Sequence, residues 1–149
     1  MKRRARLRVL GHATLAVFFW AGLPALVPAQ DLPASQVFVD LGQRTGAGNW
    51  AQYLRLHAGK RVEGAGNLEA VLPRSYYDTS VPHTNPVVAL LHVGSGRKVV
   101  CGLPRVLSPE ELRQYREGSP VVFSGSLADA HDWGEWSTLY LTDCSLTRR

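Results

Sequence analysis

The sequence is short of three things. It has two cysteines in 149 residues, three lysines among seventeen basic residues, and no apolar run long enough to cross a membrane. The run Ala13 to Leu23 (ATLAVFFWAGL) spans roughly 16 Å as a helix, about half of a bilayer's hydrocarbon core. Pro24 and Pro28 stop its extension on one side and His12 on the other, which argues against a membrane anchor. There is no HExxH or comparable metal-ligand spacing, and no metal or cofactor is expected. The preference for Arg over Lys, with abundant Ala, Gly and Leu, fits a GC-rich bacterial genome.

In place of an anchor the sequence has a leader. Its first nine residues hold five cations (Lys2, Arg3, Arg4, Arg6, Arg8) and no acid. The short apolar run follows, and Val27-Pro28-Ala29 sets small residues three and one before a cut. Together these predict a cleavable secretory signal peptide over residues 1–29, with the mature chain starting at or near Gln30. No cysteine follows at a cleavage site, so no lipid anchor is expected. The expected destination is the bacterial periplasm or the medium, with no transmembrane anchor left after cleavage.

The leader also carries the whole basic excess. It takes five of the seventeen basic residues and none of the twelve acidic ones, leaving twelve of each. A nucleic-acid binder needs a basic stripe to neutralise phosphates, and the mature chain has no such surplus. Both cysteines, Cys101 and Cys144, lie in the exported part. An even count in an oxidising compartment predicts one disulfide; the alternative is a pair of buried free thiols.

Residues 30–49 read as an N-terminal arm, in which Gln36 to Leu41 fits either a short strand or a helical turn. Asn49 is a candidate N-cap for a helix over about residues 50–58, closed by Gly59. Arg61 to Leu72 has the partial alternation of a strand, and a long loop runs from Pro73 to Pro86. Val87 to Val93 and Lys98 to Leu103 are apolar strands joined by a Gly94-Ser95-Gly96-Arg97 turn. Ser108-Pro109-Glu110-Glu111 spells a capping box, starting a helix that Gly118 ends and whose Leu112 and Tyr115 face inward. Val121 to Leu127 is the fourth strand, Ala128 to Glu135 a polar turn, and Trp136 to Cys144 the fifth strand.

Three strands, a helix and two strands, after a leading helix, predict an all-β chain with accessory helices: a five-stranded OB-fold barrel over residues 50–146, with 147–149 as a tail. In that barrel strands three and five are parallel neighbours. At about 4.8 Å spacing they would bring Cys101 and Cys144 within the roughly 4.4–6.8 Å Cα separation a disulfide needs. Linking residues 43 apart would stabilise by roughly 4 kcal/mol in the chain-entropy model.

The frame Tyr53…Gly59-Lys60-Arg61-Val62…Val99-Val100-Cys101…Gly118…Val121-Val122-Phe123-Ser124-Gly125…Leu139-Tyr140-Leu141-Thr142-Asp143-Cys144 resembles bacterial tRNA_anti-like proteins of the OB-fold superfamily, over about residues 50–146. The resemblance implies shared ancestry with anticodon-binding domains and assigns no functional residue.

OB barrels bind on the face of strands two and three, between the loop joining strands one and two and the loop joining strands four and five. The first loop offers Arg74, Tyr76, Tyr77, Asp78, His83 and Asn85, the second His131, Asp132, Trp133, Glu135 and Trp136. Aromatics beside hydrogen-bonding groups suit sugar rings, bases or peptide strands. The candidate ligand-binding residues are Tyr76, Tyr77, His83, His131, Asp132, Trp133 and Trp136; plugging the barrel end is the competing role, strongest for Trp136. His92 lies in an apolar strand and reads as a satisfied barrel histidine. Ser124-Gly125-Ser126 lacks the strand-to-helix turn of a nucleophile elbow. The expected function is a non-catalytic binding module for a glycan, peptide or protein of the cell envelope. The alternative is a structural subunit of an envelope assembly that docks through the segment before Asn49; single-stranded nucleic-acid binding ranks third.

Overall fold

The computed structural model describes residues 31–44, 47–76, 85–132 and 135–149. The leader and the candidate site residues Tyr77, His83 and Trp133 lie outside the described residues. In chain order the elements are β1 (Leu32–Pro33), α1 (Ala34–Gly42), α2 (Ala47–His57), β2 (Arg61–Pro73), β3 (Val87–Gly94), β4 (Arg97–Leu103), α3 (Pro109–Gln114), β5 (Pro120–Asp132) and β6 (Ser137–Arg148). A single 3-10 turn, Arg74–Tyr76, follows β2.

The barrel closes through β2. Its first half pairs antiparallel with β5 (Arg61↔Ser126 to Asn67↔Pro120), its second half with β3 (Asn67↔His92 to Pro73↔Val87). β3 pairs antiparallel with β4, β4 parallel with β6, and β6 antiparallel with β5. The ring is therefore β2-β3-β4-β6-β5, with α3 between β4 and β5: the OB fold. Serving two neighbours in turn requires β2 to bend sharply, and glycine permits it at two points. A Cβ on Gly64 would lie 2.7 Å from Phe123 Cζ, and one on Gly66 would lie 2.5 Å from the His92 carbonyl oxygen.

Alternation fills the interior. Val62, Leu68, Ala89, Leu91, Val99, Cys101, Phe123, Leu127, Leu139 and Leu141 are all buried in one core. Trp50 and Tyr53 of α2 join it, and the end of α2 is tied down by Gly59 N donating to the Leu127 carbonyl at 2.8 Å. Gln36 to Leu41 turns out to be helical. Ala34, Val37, Phe38 and Leu41 of α1 recur at helical spacing and are buried in the same core. The segment read as an arm thus packs on the barrel, and Trp50 Nε1 binds α1 to α2 through the Leu41 carbonyl at 3.1 Å.

Besides α2, which starts at Ala47 and so has Asn49 within it instead of at its cap, three strand and helix limits differ from the sequence reading. β5 runs on through Asp132, across residues read as a turn, because irregular pairing between Leu127 and Asp129 hides its alternation. α3 forms the expected capping box: Glu111 N donates to Ser108 Oγ (3.2 Å) and Ser108 N to Glu111 Oε2 (2.9 Å). It ends at Gln114, however, four residues before Gly118, which takes φ +79° in the turn into β5. So short a helix meets the barrel only at its end, where the Tyr115 hydroxyl donates to the Leu146 carbonyl at 3.0 Å, and Leu112 is left 42% exposed instead of inward.

The third difference is in β6, which continues to Arg148 after a bulge at Asp143. Asp143 has φ +51°, a left-handed conformation that costs a non-glycine residue. Buried Asn85 clamps it: Asn85 Nδ2 donates to Asp143 Oδ1 at 3.1 Å, and Asp143 N donates to Asn85 Oδ1 at 3.3 Å. The extra residue resets the alternation and turns Cys144 inward, over Gly125. Without the bulge Cys144 would face out. Cys101 and Cys144 are thereby brought together, but the expected disulfide is not formed: both are buried free thiols, side by side. In register Cys101 faces Leu141, so the pair meets through the bulge and not as opposed ladder residues.

Candidate functional site

The barrel's outer face is ordered by the register into rows that cross the strands. One row runs His92 (β3), Lys98 (β4), Thr138 (β6) and His131 (β5). The next runs Ala70, Leu90, Val100, Tyr140 and Asp129. In this apolar row Val100 and Tyr140 are buried with Val88, and Leu72 and Leu90 pack beside them. The polar row lies at the β3-end, β4-start edge, and Trp136, just before β6, stands over it.

Glu69 sits where β2 bulges between Leu68 and Ala70, and its carboxylate reaches this row. Oε2 lies 3.1 Å from Lys98 Nζ and 3.3 Å from His92 Nε2. Lys98 Nζ is 4.7 Å from the centre of the Trp136 ring, and His92 meets that ring edge-on at 5.8 Å between centroids. At the far end His131 Nε2 is 3.0 Å from Asp129 Oδ2, with its ring edge-on to Tyr140 at 5.4 Å. Glu69, His92, Lys98, Asp129 and His131 are all partly exposed. Half-exposed ion pairs contribute about 0–1 kcal/mol each, and an exposed cation–π contact about 0.5–1 kcal/mol. A ligand can therefore displace or share them at small cost.

Of the residues expected from sequence, His131 and Asp132 lie on β5 itself and not in a turn. Trp136 is 39% exposed, which leaves ring surface free and does not fit a residue sunk in the core. Tyr76 is 79% exposed but belongs to the opposite edge, after the Pro73↔Val87 pair. From Val87 to His92 the β3 ladder separates the two edges by roughly 17 Å. The structure thus groups Trp136 with His131 and sets Tyr76 apart. It adds Glu69, His92, Lys98, Asp129 and Tyr140, which the sequence reading did not assign to a site. His92, read as a satisfied barrel histidine, is partnered by Glu69 and lies on the outer face: Ala89 and Leu91 point in, so Leu90 and His92 point out. That parity was the available signal.

The strip offers carboxylate, imidazole and ammonium groups at strand spacing, beside one indole, while Thr138 and Tyr140 are buried within it. That is a set for hydrogen bonding and stacking along an extended ligand. Among the described residues no three His, Cys, Asp or Glu side chains cluster as a metal site would need. No family model matches the chain, and no curated protein does.

Proposed function

We propose that the mature chain is an exported, non-catalytic binding module of the cell envelope. Its outer strip would hold an extended chain rich in hydroxyl and amide groups, as a glycan or a peptide segment of a partner protein presents. The observation that carries this is the cluster of Glu69, His92, Lys98 and Trp136, gathered from four separate places in the chain onto one partly exposed row. Its interactions add little stability, and its composition matches donor–acceptor recognition next to an aromatic face. Export rests on the leader pattern, and in an oxidising compartment the adjacent Cys101 and Cys144 would close as a disulfide. Ancestry with the tRNA_anti-like OB proteins rests on the sequence frame, and the balanced charge favours a ligand other than nucleic acid.

The reading as a structural subunit gains less support, because α1 spends its apolar face on its own barrel. The test is tryptophan fluorescence titration with soluble peptidoglycan fragments and, separately, with a peptide digest of envelope proteins. Trp136→Ala and the double variant His92→Ala/His131→Ala should weaken binding at least tenfold while far-UV circular dichroism stays unchanged. Wild-type affinity in both variants, or binding to single-stranded DNA alone, refutes the site.

A further inference from the structure

The two thiols are not equivalent. Cys101 lies on the inner face of β4 and is fully enclosed. Cys144 forms part of the wall of a cavity of about 270 Å³ between α3 and the barrel end, with Leu103, Leu107 and Tyr115, beside the exposed Arg105–Glu111 pair. Cys101 is not among the walls of this cavity. An oxidant entering this cavity therefore borders Cys144, while Cys101 lies enclosed behind its wall.

We infer that this cavity is the docking point of a disulfide donor and that Cys144 is the attacking thiol, with Cys101 resolving. The inference rests on the proposed Cys101–Cys144 bridge and adds its route. Cys144 thiolate attacks one donor sulfur, the donor S–S bond breaks, and the other donor sulfur leaves as a thiolate. Cys101 then attacks Cys144 Sγ, the mixed disulfide breaks, and the second donor sulfur leaves. Two protein thiols are oxidised, one donor disulfide is reduced to two thiols, and both protons end on the donor. Burial pushes the Cys101 thiol well above its usual range, and the neighbouring Cys144 sulfur pushes it the same way. Cys101 is thus a poor first nucleophile on chemical as well as steric grounds. It becomes competent once the donor is attached next to it, where the reaction is intramolecular.

The probe is glutathione disulfide, added to the reduced native protein and quenched with acid at intervals. Trypsin separates the two sulfurs, into the fragments Val99–Arg105 and Glu117–Arg148. Cys101→Ala should form the glutathione adduct on Cys144, while Cys144→Ala should label Cys101 at least tenfold more slowly. In the wild type the earliest adduct should map to Glu117–Arg148, a readout that does not depend on either variant folding. Equal rates, or a first adduct on Cys101, overturn the route. Bridging that occurs only on refolding from denaturant also overturns the route while leaving the bridge intact. No bridge under either condition overturns the bridge itself.

Discussion

Asn85→Ala isolates the device that aims Cys144. Asn85 is 5% exposed, and its amide makes two hydrogen bonds to Asp143 across 58 residues of sequence. Truncation removes both, at about 0.5–1.5 kcal/mol each, a loss of about 1–3 kcal/mol. It also withdraws the support that holds Asp143 at φ +51°, where a non-glycine residue pays about 1–2 kcal/mol. The two effects overlap, because a relaxed bulge recovers part of the strain, so the expected total is about 2–3 kcal/mol. Urea unfolding followed by tryptophan fluorescence measures it, with the slope expected to stay that of the wild type. Asp143→Gly on the Asn85→Ala background should recover about 1 kcal/mol, since glycine takes the left-handed conformation unaided. An Asn85→Ala loss below about 0.5 kcal/mol would refute the clamp, because surface-like substitutions fall in that range.

Three further outcomes follow from particular contacts. Gly125→Ala places a Cβ 2.5 Å from Cys144 Sγ and 3.0 Å from Leu141 Cβ, so it should destabilise by about 1–3 kcal/mol in urea and slow oxidation of the thiol pair. Glu111 is held down to about 2, first by its hydrogen bonds from Arg105 and then by the Ser108 N–H, so the folded state favours its charged form. That contribution is complete above the ordinary value of 4.5 and is lost as pH falls from there towards about 2; Glu111→Gln should flatten this limb of the stability profile, and an unchanged limb would count against it. Tyr53 is pushed up to about 12 by burial and then by Asp40, so the folded state favours the neutral phenol. Its contribution holds below the ordinary value of 10 and fades as pH rises towards 12; ultraviolet titration should lose its late-ionising step in Tyr53→Phe.

The element order was legible because each signal was local. The capping box at Ser108, the Ser95–Gly96 turn between β3 and β4, and the apolar runs Val87 to Val93 and Lys98 to Leu103 each need only a few neighbouring residues to read. Bulges were not legible, and they account for most of the differences. The one at Asp143 depends on Asn85, far away in sequence, and it both lengthens β6 and decides which way Cys144 points. The irregularity after Leu127 made the end of β5 look like a polar turn, which moved His131 and Asp132 from a strand face into a loop. α1 was ambiguous because six residues with four apolar ones suit either period. The site itself was half legible. Trp136 and His131 could be chosen by composition, but the row they belong to exists only through the register of four strands. Glu69 joins it through a bulge that no short window displays.

The outer row around Trp136 is the proposed place where this barrel meets its ligand. Amide chemical-shift mapping of the oxidised mature chain, titrated with soluble peptidoglycan fragments and with envelope peptides, tests it most directly. Shifts should concentrate at Glu69, His92, Lys98, Thr138 and His131, with the Trp136 indole N–H moving furthest. Shifts confined to the α3 end, or saturating binding that leaves the Trp136 indole unmoved, would contradict it.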